Sequence, residues 1–182
     1  WGEIWLNDPS VIALRCAEQT LQANQIRNAR VHSAISLIPE GGEAFDTILM
    51  DLPKGRQLGR RWLVEAHILL KPGGTLLLAG AKNEGVQSLI QDGQALFGNA
   101  GILAYKKGSR LARLVKGNPP VKSQSAWMHE DGIAPGTWGS FPLTVGDQEF
   151  LIHTLPGVFS QDRLDEGTRL LLQHVSEINK PS

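Results

Sequence analysis

The segments FDTILMDLP (residues 45–53) and LLKPGGTLLLAG (residues 69–80) decide the fold. Each holds a short continuous apolar run, which is typical of a strand in a parallel sheet covered on both faces. A helical pattern over residues 61–70 lies between them, and strand–helix–strand units imply a parallel sheet with right-handed crossovers. We therefore predict an α/β protein with central strands here. The residues predicted to be buried on these strands are Ile48, Leu49, Leu76 and Leu78.

The other elements follow from periodicity and from turn residues. Asp8 suits a helix N-cap and Pro9 the first helical position, so a helix is predicted to start there. Residues 117–148 are rich in glycine and proline and predict a loop-rich connector. The remaining predictions are strands at 3–7, 30–35 and 149–154, helices at 84–97 and 164–175, and a closing antiparallel hairpin from 102–105 and 110–115.

The composition is that of a globular protein. The chain has 182 residues, of which 41% are apolar and 20% charged. Cys16 is the single cysteine, which excludes an internal disulfide and favours a reducing compartment, so we expect a cytoplasmic protein. The sequence has no run of 18 apolar residues, so it predicts no membrane span. The spacing of the five histidines does not match that of metal ligands.

The neutral net charge conceals an asymmetry. Residues 54–122 contain twelve Lys or Arg and three acids, a balance of +9, and the remainder carries −9. Such a basic segment favours an anionic partner, although a solvated surface is an equal alternative. Backbone phosphates bind such cations, so the predicted RNA contacts lie on the loop after the central strand and on the hairpin. They are Lys54, Arg56, Arg60 and Arg61 on the loop, and Lys106, Lys107, Arg110, Arg113 and Lys116 on the hairpin.

Two stretches carry a family resemblance. The order of EIWLNDPSVIALRCAEQTLQANQIRNARVHSA (residues 3–34), FDTILMDLP and LLKPGGTLLLAG resembles class I S-adenosylmethionine-dependent methyltransferases with a Rossmann-like fold. The stretch HTLPGVFS (residues 153–160), followed by LDEGTRLLL (residues 164–172), resembles the junction of two-domain rRNA guanine-N2 methyltransferases of the methyltransferase small family.

This resemblance implies a domain organisation. In that family the first of two methyltransferase-like domains has lost its cofactor motif and supports folding and RNA docking, and the second is catalytic. Here residues 1–116 would be the degenerate domain, 117–148 the connector and 149–182 the junction leading to a catalytic domain of the same chain. The parent enzyme would use S-adenosylmethionine and act on rRNA, and we expect no cofactor, metal or membrane contact for this chain alone.

The resemblance also assigns candidate site residues. In the family an acidic residue near the position of Asp8 holds the cofactor ribose, so Asp8 is the candidate cofactor-binding residue. The glycine-rich turn of the family should precede Glu3. The family's catalytic Asn-Pro-Pro-aromatic loop corresponds to Asp51-Leu52-Pro53-Lys54, where Leu52 replaces the first proline and Lys54 the aromatic residue. We therefore predict no catalytic residue in this loop. Asn118-Pro119-Pro120-Val121 follows the wrong strand and is interpreted as a turn.

Two other functions stay open at this point. One is a truncated class I methyltransferase that acts on a small molecule or a protein, and the other is an interaction module without an enzymatic parent. A glycine-rich cofactor turn after residue 182 would favour the two-domain enzyme. The same turn before Trp1 would favour the truncated methyltransferase.

Overall fold

The structure is a computed structural model that describes residues 2–33, 45–118 and 125–178. It contains two compact units, Trp1–Glu43 and Ala44–Ser182. The domain boundaries at residues 116 and 148 stay a prediction. The Asn-Pro-Pro turn and the end of the strand predicted at 30–35 lie partly outside the described residues.

The first unit is a strand–helix–strand element. Strand β1 (Ile4–Asn7) pairs in parallel with β2 (Ala29–His32), and helix α1 (Val11–Ala23) connects them. The predicted N-cap at Asp8 is wrong by two residues. Ser10 is the N-cap, and its hydroxyl accepts the amide of Ala13 at 3.4 Å. Asp8 instead accepts the amide of Ser10 at 2.7 Å, a local turn that competes with capping for this side chain.

The second unit is built on a four-stranded sheet. Its order is β3-β4-β6-β5, with β3 and β4 parallel and both pairings of β6 antiparallel. The predicted hairpin is confirmed as β5 and β6, and its second strand lies against β4. The strands are β3 (Phe45–Asp51), β4 (Leu70–Ala81), β5 (Gly101–Lys106) and β6 (Ser109–Val115).

The burial predictions hold for β4 but only partly for β3. Leu76 and Leu78 are fully buried, whereas Leu49 is 77% exposed and Ile48 is half-buried. Strand β3 lies at the edge of its sheet, and among the described residues no strand pairs with its other side. A continuous apolar run cannot distinguish a central strand from an edge strand whose outer face is open.

Two helices cover one face of this sheet. Helix α2 (Arg56–Leu69) starts five residues before the predicted position because Gly55 adopts φ +94° ahead of it. Helix α3 (Val86–Phe97) packs against α2 and β6. The buried residues of α2, α3, β4 and β6 form one hydrophobic core, in which the largest fully buried side chains include Phe97, Leu63, Leu76, Leu78 and Leu114.

The predicted connector has more structure than its composition indicates. A short 3-10 helix (Ala126–His129) is followed by β7 (Gly139–Val145), which pairs with β8 (Gln148–Thr154) in an antiparallel hairpin. Strand β7 was missed because Pro142 and flanking glycines resemble loop composition. Pro142 is tolerated because β7 belongs to a two-stranded hairpin, where one side of the strand needs no partner. Helix α4 (Glu166–Ile178) completes the unit.

Gly93 in α3 tests how tightly this helix lies on the sheet. A Cβ at this position would come within 2.6 Å of Leu114 Cδ2, and Leu114 has no exposed surface into which it could move. We expect Gly93→Ala to lower the free energy of unfolding by about 1–3 kcal/mol by overpacking. Urea denaturation followed by circular dichroism would measure it.

Gly101→Ala is the matched control, since no atom lies within 4 Å of a Cβ there. That variant should be neutral or slightly more stable. A gain in stability for Gly93→Ala, as alanine gives in an open helix position, would contradict the close packing of α3 on β6.

Candidate functional site

The segment Asp51–Lys54 begins at the last residue of β3, at the carboxyl edge of the sheet, where open α/β sheets place their sites. Its second residue is built into the fold. The Leu52 amide donates to the Ala79 carbonyl at 2.8 Å, and Leu52 packs against the core. A Cβ on Gly80 would lie 2.5 Å from Leu52 Cβ, so the two positions fit each other closely. In this loop the residue that replaces the family's proline has a structural role.

Asp8 lies in the first unit. One of its carboxylate oxygens accepts the Ser10 amide, so the side chain helps to start α1. A contact between Asp8 and a cofactor ribose stays a prediction.

Two of the arginines predicted to contact RNA are bound to an acid. Asp92 on α3 is 6% exposed and accepts paired hydrogen bonds from Arg56 (both 2.8 Å) and from Arg60 (3.0 and 3.2 Å). Arg60 also lies over the ring of Trp127, 4.9 Å from its centroid. These contacts tie α2 to α3 and to the 3-10 helix of the connector.

The environment of Asp92 acts in two directions on its pKa. Burial alone would raise the pKa of this carboxyl group. The hydrogen bonds from Arg56 and Arg60 outweigh burial and hold the pKa below its usual value. Asp92 is therefore ionised at neutral pH, and its single negative charge offsets one of the two arginine charges.

Arg61 is further removed from solvent. It is 5% exposed, its Nε donates to Glu65 at 3.1 Å, and its Nη1 donates to the Gly132 carbonyl at 3.1 Å. This guanidinium lies in the interior with its own carboxylate, which does not favour the predicted contact of Arg61 with phosphate. Lys116 has a similar local role, since its ammonium donates to the carbonyls of Ile68 and Leu70 near the end of α2.

The other predicted cations lie at the carboxyl edge, except Arg113, which is opposite Leu77 in the middle of β4. The hairpin turn at Lys107-Gly108 lies where β4 ends, and the Lys82 amide donates to the Gly108 carbonyl at 2.8 Å. Lys82 is thus a member of the basic group that sequence reasoning missed, because it lies 25 residues before the turn. In the part of the chain that the structure describes, the members of this edge cluster form no salt bridge. The edge cluster consists of Lys54, Lys82, Lys106, Lys107 and Arg110.

The junction segment is anchored on α2. Gly157 has φ +96°, and a Cβ there would lie 2.8 Å from Leu58 Cδ2. Gln161 accepts the Gly157 amide and donates to Gln57 at 2.7 Å. The apolar residues that follow face outward: Val158 and Phe159, together with Leu170 and Leu171 of α4, are exposed by 56–82%.

Residues 2–33, 45–118 and 125–178 were compared with the requirements of a metal site and of a membrane span. These residues contain no cluster of three His, Cys, Asp or Glu side chains suited to a metal ion. They also contain no helix with the length and apolar character that crossing a bilayer requires.

Comparisons with known proteins agree with the resemblance read from the sequence. The family description "Methyltransferase small domain" matches residues 149–181. The ribosomal RNA small subunit methyltransferase C of Shewanella sediminis is 31% identical over 143 residues, which are 75% of this chain and 37% of that protein. This chain therefore spans well under half the length of that relative.

Solved structures agree on the fold. The T. thermophilus 16S rRNA N2 methyltransferase (RsmC), in complex with AdoMet and guanosine, matches 98% of this chain with 49% of its own at a TM-score of 0.68 and 26% identity. A methyltransferase from Pyrococcus furiosus matches 63% of each chain at a TM-score of 0.54 and 21% identity, which is a likeness of fold alone. The predicted α/β, Rossmann-like methyltransferase fold is confirmed.

The contact of Asp92 with Arg56 and Arg60, which we call the arginine clamp, can be tested by substitution. We expect Asp92→Asn to lower the free energy of unfolding by about 2–3 kcal/mol at neutral pH, because two guanidinium groups lose their counter-charge. The folded pKa of Asp92 is lowered, so its contribution is present above the unfolded pKa of about 4 and is lost as pH falls through the folded pKa. Urea titrations across this pH range should show the two proteins converging in acid.

Asp46→Asn is the control, since its salt bridge with Lys71 is exposed. This change should cost less than about 1 kcal/mol. A stability difference between wild type and Asp92→Asn that is the same at all pH values would contradict the clamp.

Leu52 gives a second test. We expect Leu52→Pro, which restores the family's residue type, to cost about 2 kcal/mol or more. Proline cannot donate to Ala79, and the contact with Gly80 is altered. Pro53→Ala is the control that keeps this hydrogen bond. Equal denaturation midpoints for the two variants would show that Leu52 has no structural role.

Proposed function

We propose that this chain, a relative of the rRNA small subunit methyltransferase C proteins, is the non-catalytic amino-terminal domain of an S-adenosylmethionine-dependent rRNA (guanine-N2) methyltransferase. It supports the folding of the catalytic domain and docks the RNA. One observation carries the proposal: the loop at the carboxyl edge is tied into the core through Leu52, while the cations beside it form no salt bridge within residues 2–33, 45–118 and 125–178. This edge is suited to hold a polyanion and has no catalytic loop of the family type.

The residues do not fit a cofactor site of the family type. Leu52 occupies the space beside Gly80, and a carboxylate oxygen of Asp8 is used in a turn. For these reasons no step of methyl transfer is assigned to this chain, and S-adenosylmethionine is assigned to the catalytic domain.

The junction and α4 provide the contact with the catalytic domain. Phe159 is 82% exposed and Leu171 is 71% exposed, although both are large apolar side chains. Leu170 of α4 is 60% exposed as well, and the Val175 side chain lies outside the described residues. Exposed apolar groups next to a turn fixed on α2 present a preformed surface, which suits a domain interface.

RNA docking falls to the edge cluster of Lys54, Lys82, Lys106, Lys107 and Arg110. Arg56 and Arg60 serve the clamp, and Arg61 is interior. A charge reversal at Arg60 and Arg61 would therefore test folding, because it would place two carboxylates beside Asp92 and Glu65. A test of docking must change only the lysines of the edge cluster.

A salt series tests the docking role. We expect the 182-residue chain to bind an rRNA fragment, with log affinity falling linearly with log salt. The combined Lys82→Gln, Lys106→Gln and Lys107→Gln variant should bind more weakly and flatten the slope by about 0.7–0.9 for each lost phosphate contact. Fluorescence anisotropy at several salt concentrations measures both quantities.

Lys71→Gln is the charge control, because Lys71 lies at the start of β4, away from the edge cluster, and pairs with Asp46. It should leave the slope unchanged. If the triple variant and wild type bind equally at every salt concentration, the edge cluster is a solvated surface and docking is refuted.

A further inference from the structure

We propose that Tyr105 and Arg110, at the base of the hairpin turn, form a stacking platform for one unpaired base of the docked RNA, and that the neighbouring lysines hold the flanking phosphates. This inference rests on the proposed function and deepens it, because it names the form of RNA that the edge cluster prefers. A phosphate-binding surface alone would accept any duplex, whereas a platform requires a base out of its stack.

The geometry of the pair supports a platform. Tyr105 and Arg110 are directly opposite in the β5–β6 register, and Arg110 Cζ lies 5.8 Å from the centroid of the tyrosine ring. Tyr105 is 62% exposed and lies on the edge strand of the sheet. The guanidinium lies over one face of the ring, so the surfaces on which a base can stack are the opposite face of the tyrosine ring and the outer face of the guanidinium.

The backbone conformation of the hairpin turn is a second observation in favour of an anionic ligand. Lys107 has φ +49° and Gly108 has φ +82°, so both residues of this two-residue turn are left-handed, as in a type I′ hairpin. Asparagine is the residue that favours the first of these positions, and a lysine there strains the backbone. The hairpin therefore keeps a positive charge at its tip at some cost in stability, which fits a functional role for that charge.

The phosphate contacts would come from three lysines around this tip. Lys106 and Lys107 are exposed at the turn, and Lys82 is held beside it by its backbone hydrogen bond to Gly108. Among the described residues neither Asp51 nor Glu84, acids of the same edge, forms a salt bridge with them. Within the described residues the three lysines near the hairpin turn thus form no salt bridge.

Two RNA probes of equal length and charge separate a platform from a phosphate surface. One is a fully paired stem, and the other has the same number of nucleotides but carries a mismatch at one position, so that a base there is unpaired. We expect the 182-residue chain to prefer the second, and Tyr105→Leu to remove that preference. The loss should lie between about 5-fold and 150-fold, the range for one base–aromatic stack, with the salt slope unchanged. Tyr105→Phe, which keeps the ring, should retain the preference.

Lys107→Asn gives a second, independent readout. This variant should raise the denaturation midpoint, because asparagine accepts the left-handed conformation, and should weaken binding of both RNA probes. Its salt slope should flatten by about 0.7–0.9, the effect of one lost phosphate contact. An increase in stability with unchanged affinity would overturn the role of Lys107.

The outcomes distinguish this inference from the function on which it rests. If both probes bind wild type equally and Tyr105→Leu changes neither affinity, the platform is refuted while phosphate docking stands. If neither probe binds at low salt, the docking role itself fails, and the platform fails with it.

Discussion

The pairing of Asp92 with Arg56 and Arg60 is the interaction on which the rest of the second unit depends. It joins α2 to α3 through groups that are 32 and 36 residues apart in the chain, and Arg60 extends the contact to Trp127 in the connector. Burying a carboxylate is costly unless hydrogen bonds satisfy it, and here four hydrogen bonds do so. The carboxyl edge of the sheet is therefore backed by a rigid pair of helices.

Local sequence patterns predicted the elements that local physics determines. The strand at 45–51, the hairpin around Lys107 and the helix before residue 97 follow from apolar periodicity and turn chemistry. The N-cap at Asp8 was predicted wrongly and β7 was not predicted, because each depends on contacts that compete with the local sequence preference. A serine two residues after Asp8 took the capping role, and Pro142 was tolerated in a two-stranded hairpin.

The basic residues show where sequence reasoning reaches its limit. Arg61 and Lys107 look equivalent in a charge count, yet Arg61 is interior and Lys107 is exposed. Arg61 is held inside by the carbonyl of Gly132, a partner that only the tertiary structure brings close. Lys82 is placed beside the hairpin turn in the same way, by its contact with Gly108. A helical pattern of Arg61 with Glu65 four residues later was the one signal in the sequence that could have indicated an internal pair.

The internal pairing of the arginines also changes the electric field of the protein. The +9 of residues 54–122 already includes Asp92 and Glu65, and their pairing with Arg56, Arg60 and Arg61 leaves a local charge of only +1 at these five residues. Five of the other cations form the edge cluster at one edge of the sheet, which gives the field a direction. A polyanion that approaches within a Debye length, about 8 Å at physiological salt, is turned toward that edge before contact. The consequence is kinetic: such a field accelerates association and selects the orientation of first encounter, and dilute salt strengthens both effects.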